Sequence, residues 1–287
     1  MLGILQLLYR LPWLLLISAA ALVVIGTLAL YSASEGAWSP WAERQMLRAA
    51  IGTMLLIVVA MMPTPWLHRL SYWGLAVAVL ILIALPFFGT GTGATRWIEL
   101  GPFNFQPSEP AKLAVIIGLA RYLSGQTPEQ VQSLISYLPV MLMLGVPFGL
   151  VLIQPDLGTS FMLLTGGLAV VFAAGVPRRF LVTGALAAAA AAPILWSQLY
   201  DYQKARIMTF LNPEADVLGA GYQITQSKIA LGSGGLFGKG FLQGSQSQLN
   251  YLPEKQTDFV FTMIGEEFGF VGNLTVLLIY FAILASV

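Results

Sequence analysis

Three short stretches of the sequence place a carboxylate beside glutamine just before an apolar run. They are Gln106-Pro-Ser-Glu109, Gln154-Pro-Asp156 and Gln256-Thr-Asp258. A carboxylate at the water-exposed end of a helix can take a proton from a substrate hydroxyl and so act as a general base. The same residues also suit helix capping, because Ser, Thr and Asp cap helices and acids are favoured at the positive end of the helix dipole. One such stretch indicates a cap, whereas three in one chain indicate a shared site.

Two features could bind an anion. Lys112 follows Glu109 by three residues, so both lie on one helical face, where they can pair and hold the lysine near a phosphate. The stretch Gly232-Ser-Gly-Gly-Leu-Phe-Gly-Lys239 resembles a phosphate loop, but Ser233 lies five residues before Gly238 and Gly240 follows the lysine, so the spacing is wrong. Its N–H groups could still cradle a phosphate. A plain glycine-rich turn is the simpler interpretation.

Composition excludes a water-soluble globular protein. Of the 287 residues, 57% are hydrophobic and only 9% are charged, whereas soluble domains carry about 25% charged residues. The net charge of +1 leaves no basic surplus for nucleic acid. Because the chain has no cysteine, disulfides and thiolate metal sites are excluded.

The apolar runs predict an all-α, polytopic transmembrane helix bundle with about eight helices. A run of about 18 or more apolar residues is long enough to cross the roughly 30 Å hydrocarbon core. The predicted spans lie near residues 11–30, 44–62, 69–88, 109–124, 134–153, 159–175, 180–199 and 260–286. We expect residues 1–287 to form a single integral membrane domain.

The distribution of basic residues predicts the orientation. Arg10, Arg69, Arg121 and the pair at 178–179 lie on one side of the predicted spans, which the positive-inside rule assigns to the cytoplasm together with the N-terminus. The segment 200–258, before the last span, is then a large extracytoplasmic loop. Loops this long are usually functional or disordered. Amphipathic stretches within it favour an ordered loop.

Eight stretches follow one another along most of the chain: Gly93-Ala-Thr-Arg96-Trp97, Gln106-Pro-Ser-Glu109, Gln154-Pro-Asp156-Leu-Gly-Thr-Ser160, Gly219-Ala-Gly-Tyr-Gln-Ile-Thr-Gln-Ser-Lys228, Gly232-Ser-Gly-Gly235, Gly238-Lys-Gly240, Gln246-Ser-Gln-Leu249 and Leu252-Pro-Glu-Lys-Gln-Thr-Asp258-Phe. In this order they resemble the SEDS family (shape, elongation, division and sporulation) of peptidoglycan glycan polymerases, and its RodA-like members in particular. Members of the family have ten helices. This chain, which stops on the apolar Val287, is therefore expected to lack two of them.

The resemblance implies a function. Similar proteins polymerise lipid II into glycan strands on the outer face of the bacterial cytoplasmic membrane, for cell elongation and rod shape, and work with a class B penicillin-binding protein. The family's essential aspartate matches Asp258, which is expected to be the general base of an inverting displacement. Candidates for diphosphate contacts are Arg96, Lys112, Lys228 and Lys239, and Trp97 could stack on a sugar ring. All five also suit plain anchoring at the membrane interface.

The sequence is also compatible with two other functions and with a bound metal ion. A transporter (flippase) of the lipid-linked precursor would also be polytopic, but it needs polar groups at the bilayer midplane, which most of these spans lack. A non-catalytic scaffold for the penicillin-binding protein is the third interpretation. A divalent cation is compatible with Glu109, Asp156 and Asp258 beside a diphosphate, yet no ligand spacing supports one.

Overall fold

The structure is a computed structural model that describes residues 12–90, 96–100, 103–131, 133–212, 219–249, 251–252 and 254–286. Arg10, Val287, part of the Gly93–Trp97 stretch and part of the 200–258 segment lie outside these residues.

Eight helices coincide with the eight predicted spans, which confirms the all-α polytopic architecture. Six are at least 18 residues long and apolar enough to cross a membrane, one of them only when the 3₁₀ turn before it is included. The other two, Ser108–Ser124 and Leu157–Ala173, have 17 residues each, or about 25 Å at 1.5 Å per residue. The eight are α1 (Trp13–Ala33), α2 (Trp41–Met61), α3 (Thr64–Phe88), α4 (Ser108–Ser124), α6 (Leu138–Ile153, preceded by a 3₁₀ turn at Leu134–Tyr137), α7 (Leu157–Ala173), α8 (Arg178–Gln198) and α12 (Val260–Ala285).

Shorter elements connect them. A hairpin of β1 (Ile98–Leu100) and β2 (Phe103–Phe105) precedes α4, with Glu99 paired to Asn104. The hairpin was not predicted, although the alternation of apolar and polar residues around Gly101-Pro102 is the usual signal for one. α5 (Pro128–Val131) follows α4. The described residues of the predicted 200–258 loop form three helices: α9 (Asp201–Leu211), α10 (Ala220–Ser233) and α11 (Ser245–Gln248).

The chain divides into two compact units, one of residues 1–60 and 204–287 and one of residues 61–203. In the second unit, α3, α4, α6 and α7 pack around a buried core that includes Leu82, Val115, Leu119, Leu144 and Leu163. In the first unit, α12 packs against α1 through a smaller cluster of Ala29, Ile264 and Val276. Extensive apolar surface remains exposed outside both cores, which suits lipid rather than water.

The last helix, α12, is broken, and the backbone of the glycine-rich segment (residues 232–240) forms hydrogen bonds with the helix at the break. Gly269 has φ 68° and ψ −162°, which interrupts α12, so the carbonyls of Glu266 and Glu267 lose their usual partners four residues on. Instead, Lys239 N–H donates to the Glu266 carbonyl (2.9 Å) and Gly240 N–H to the Glu267 carbonyl (3.0 Å). In return, Phe270 N–H donates to the Gly235 carbonyl at 2.9 Å.

Glycine is required at this contact. A Cβ on Gly238 would lie 2.0 Å from the Glu267 carbonyl oxygen, and one on Gly269 would lie 2.4 Å from the Gly238 nitrogen. Both residues also have φ between +60° and +90°, where side chains are strained. Because unpaired backbone groups are costly in a membrane, the glycine-rich segment stabilises the break. The N–H groups of Lys239 and Gly240 are therefore occupied, so the plain-turn interpretation is correct and the phosphate-cradle interpretation is wrong for them.

Candidate functional site

Asp258 lies in a tight turn immediately before α12. The turn is closed by Thr257 N–H and Phe259 N–H, which donate to the Glu254 carbonyl at 3.2 and 3.4 Å. The Asp258 side chain is exposed. Since α12 begins at Val260 and its N-cap is Phe259, the expectation that Asp258 caps this helix is wrong. Its carboxylate is therefore available for chemistry rather than for capping.

Two buried residues of the same segment anchor this turn. Leu252 is fully buried and Lys255 is 4% exposed. The Lys255 ammonium lies 6.0 Å from the centre of the Trp41 ring at the start of α2, within cation–π range. Burial lowers the pKa of Lys255, and the negative charge of Glu35 partly opposes that shift. The sequence does not distinguish Lys255 as a site residue, because only its burial in the fold separates it from a surface lysine.

The two adjacent glutamates of α12 are buried. Glu266 and Glu267 have exposed fractions of 0% and 2%. Glu266 Oε1 accepts from Lys239 Nζ at 2.7 Å, from Gln246 N–H at 2.9 Å and from Ser245 Oγ at 3.2 Å. Ser32 of α1 donates its hydroxyl to Glu267 Oε1. In the sequence, two adjacent acidic residues inside an apolar span indicate a functional role, because ionisable residues within membrane spans are rare and usually functional.

The basic candidates of the first unit have different environments. Lys239, predicted to contact a diphosphate, has its ammonium against Glu266 and within 2.8 Å of Ser245 Oγ. Lys228 lies on α10 and is exposed. Of the two, Lys228 therefore has the more accessible ammonium.

Asp156 anchors a hydrogen-bonded cluster in the second unit. As predicted, it is the N-cap of α7: its carboxylate accepts from Thr159 N–H at 3.2 Å and from Thr159 Oγ1 at 2.9 Å. Gln106 Nε2 donates to the same carboxylate at 3.2 Å, so two of the three predicted stretches meet. Arg96 Nε donates to the Gln154 carbonyl at 3.1 Å, and its Nη2 donates to the Pro155 carbonyl.

Glu109 and Lys112 form the predicted pair in the first turns of α4. Lys112 Nζ lies 2.9 Å from Glu109 Oε2, with 20% of the lysine side chain and 57% of the glutamate side chain exposed. Exposed pairs of this kind contribute about 0.2–1 kcal/mol, so the pair is a weak constraint on folding. Trp97, next to Arg96, is 40% exposed, which leaves its ring accessible for the predicted stacking.

The structure therefore gathers the predicted residues into two groups. Asp258, Lys228 and Lys239 belong to the first unit, and Arg96, Trp97, Glu109, Lys112 and Asp156 belong to the second. Within the described ranges, no three His, Asp or Glu residues are grouped closely enough to hold a metal ion.

The six helices that are long and apolar enough to cross a membrane define a multi-pass helical membrane protein. The family model for FtsW, RodA and SpoVE, described as cell cycle proteins, matches residues 7–287. The chain belongs to this family, the same SEDS family that its motifs resemble.

Two curated relatives align with nearly all of the chain. The peptidoglycan glycosyltransferase MrdB of Escherichia coli K12 is 42% identical over 271 residues, which are 94% of this chain and 72% of that protein. The probable peptidoglycan glycosyltransferase FtsW of Marinobacter nauticus is 36% identical, over 95% of this chain and 70% of its own length.

Solved structures agree with the fold. A structure concerned with how a peptidoglycan synthase complex coordinates polymerization and crosslinking matches 95% of this chain and 76% of its own, with a TM-score of 0.78 and 32% identity. The rod shape determining protein RodA of Thermus thermophilus matches 95% of this chain and 72% of its own, with a TM-score of 0.65 and 29% identity.

Proposed function

We propose that this chain is a peptidoglycan glycosyltransferase that polymerises lipid II into glycan strands for cell elongation and rod shape. The observation that carries the proposal is the exposed Asp258 on an anchored turn before α12, in a chain that belongs to the FtsW, RodA and SpoVE family. The 42% identity to MrdB supports the RodA-like assignment. We expect residues 1–287 to work as one integral membrane domain.

Asp258 is proposed to be the general base. Its carboxylate accepts the proton of the acceptor sugar's 4-hydroxyl, and that oxygen forms a bond to the anomeric carbon of the donor. The bond between that carbon and the diphosphate oxygen breaks at the same time, so the lipid diphosphate leaves with the bonding electrons. Direct displacement inverts the configuration from an α-linked donor to a β-linked product, without a covalent enzyme intermediate.

The leaving diphosphate needs positive charge as its own charge develops. Lys112 and Lys228 are proposed to supply it: Lys228 is exposed, and the half-buried Lys112 lies beside the exposed Glu109 side chain in the first turns of α4. Arg96 already donates to the turn at Gln154 and Pro155, so its contribution includes holding that turn beside Asp156. Trp97 offers an accessible ring for a sugar.

We propose that the N-terminus lies in the cytoplasm and that Asp258 faces the exterior of the bacterial cytoplasmic membrane. A single cysteine at position 258 should react with an impermeant thiol reagent in intact spheroplasts, whereas one at position 68 should not. The chain has no native cysteine that could interfere. Labelling at 68 with protection at 258 would invert the topology.

The proposed partner is a class B penicillin-binding protein, whose transpeptidase would crosslink the new strand. The similarity to a structure described as a peptidoglycan synthase complex for polymerization and crosslinking supports this partner. Co-purification from membranes with the native transpeptidase, but not with a soluble penicillin-binding protein, is the expected result.

The decisive experiment measures incorporation of labelled lipid II into glycan by the purified chain, beside flipping of a fluorescent lipid in vesicles. Long glycan without flipping supports the proposal. Flipping without polymerisation would make the chain a transporter. Neither activity, with retained binding to the penicillin-binding protein, would make it a scaffold.

A further inference from the structure

We propose that Lys239 and Glu266 form a positioning pair that holds Asp258 in place, so that Lys239 acts through Glu266 and not as a ligand of the substrate diphosphate. The inference rests on the proposed role of Asp258 and names residues that the reaction would need at the same site.

The break at Gly269 makes the beginning of α12 a separate short segment. Residues 260–268 precede the break, and Asp258 lies two residues before their first turn. Because the helical ladder is interrupted at Gly269, the remainder of α12 does not rigidly fix this segment. Its position depends on lateral contacts, and these, together with the buried Leu252 and Lys255 of the preceding turn, determine where the Asp258 carboxylate lies.

The strongest lateral contacts converge on Glu266 and Glu267. Lys239, Ser245 and Gln246 all donate to Glu266 Oε1. The backbone of Leu242 and that of Gly244 lie beside the Glu267 carboxylate. Residues 239–246 are therefore held against the second turn of α12 by side-chain bonds as well as by the backbone bonds that fill the break.

Burial makes the charge of Lys239 essential to this arrangement. The Glu266 side chain is 1% exposed, whereas the Lys239 side chain is 27% exposed. Removing the lysine leaves a buried carboxylate without its counter-ion, which is far more costly than removing both charges together. Removing only the glutamate charge leaves an ammonium that can turn toward water.

Because Glu266 is more buried than Lys239, the variants of the two residues should differ in kcat in a definite order. A lysine that bound the substrate diphosphate would not give this order. Lys239→Met should lower kcat by about tenfold to a hundredfold, the cost of a catalytic group displaced by about an ångström, with the KM for lipid II changed less than about twofold. Glu266→Gln should be milder. The double variant Lys239→Met/Glu266→Gln should recover most of the kcat lost in Lys239→Met, and Lys239→Arg should stay near wild type.

The experiment compares these four variants with the wild-type chain in steady-state polymerisation of lipid II, together with thermal unfolding in detergent. Lys204→Met, on α9, is the control for loss of a lysine outside the site. A raised KM in Lys239→Met that persists in the double variant would identify Lys239 as a substrate ligand and overturn the inference.

Thermal unfolding separates this inference from the proposed function. If the wild-type chain does not polymerise lipid II, the proposed function fails, but the Tm of Lys239→Met should still lie below that of the double variant. Additive changes in Tm would show that the two residues are not coupled and would refute the pair.

Discussion

Replacing Asp258 with asparagine should abolish polymerisation without unfolding the protein. The amide is nearly isosteric with the carboxylate but cannot take a proton from a sugar hydroxyl. Loss of a general base usually costs about two to four powers of ten in rate, which corresponds to about 2.7–5.4 kcal/mol in activation free energy. The measurement is the initial rate of glycan synthesis from labelled lipid II at saturating substrate.

The structure limits the accompanying change in stability. The Asp258 side chain is exposed and does not cap α12, whose N-cap is Phe259. Surface substitutions of this kind usually change the free energy of unfolding by less than about 0.5 kcal/mol. The Tm in detergent and the affinity for lipid II should therefore stay close to wild type, and the loss should appear in kcat.

Asp156→Asn is the matched control, because this aspartate accepts hydrogen bonds from Thr159 and Gln106. Asparagine caps helices nearly as well as aspartate, so this variant should keep measurable turnover. Polymerisation by Asp258→Asn at a near wild-type rate would refute the general-base assignment and move the search to Glu109, Asp156 or the Glu266–Glu267 pair.

Three further predictions follow from the contacts. Exchanging Glu109 and Lys112 should keep the Tm, since the pair is exposed, but should raise the KM for lipid II if Lys112 contacts the diphosphate; full activity would exclude that contact. Gly238→Ala should lower the free energy of unfolding by at least about 2 kcal/mol, because its Cβ would meet the Glu267 carbonyl. Gly232→Ala, with open space around it, should leave the free energy of unfolding unchanged or raise it by up to about 1 kcal/mol. Equal effects of the two substitutions would contradict the close packing at Gly238. The Tm of Lys255→Met should be compared with that of the wild type across pH, because burial lowers the pKa of Lys255 and thus destabilises the charged form in the folded state. For the same reason, wild-type stability relative to Lys255→Met should rise as the pH approaches the ordinary pKa of lysine, and a falling difference would contradict the sign.

Much of the architecture could be predicted from the sequence because the bilayer restricts the choice of structures. A spanning segment must be apolar over its whole length and must pair its own backbone groups, so composition alone located all eight long helices. The cap at Asp156 and the pair of Glu109 with Lys112 were also predictable, since both depend on neighbours three residues away.

The contacts that needed the tertiary structure join residues far apart in the chain. Gln106 reaches Asp156 across 50 residues, and Ser32 reaches Glu267 across 235. No helical period or local propensity reports such distances. The hydrogen-bonded cluster at the start of α7 and the anchoring of α12 to α1 therefore emerged only from the fold.

The environment of Lys239 could be known only from the tertiary structure. A lysine in a glycine-rich stretch is compatible with a phosphate contact, although the spacing here is not that of a phosphate loop. At the break at Gly269, the N–H groups of Lys239 and Gly240 donate to the carbonyls of Glu266 and Glu267, and the Lys239 ammonium pairs with the buried Glu266 carboxylate. The sequence by itself determined which residues could carry charge near the membrane surface. The tertiary structure decided which charges are buried and paired and which remain exposed, because burial depends on packing between segments that the sequence does not place side by side.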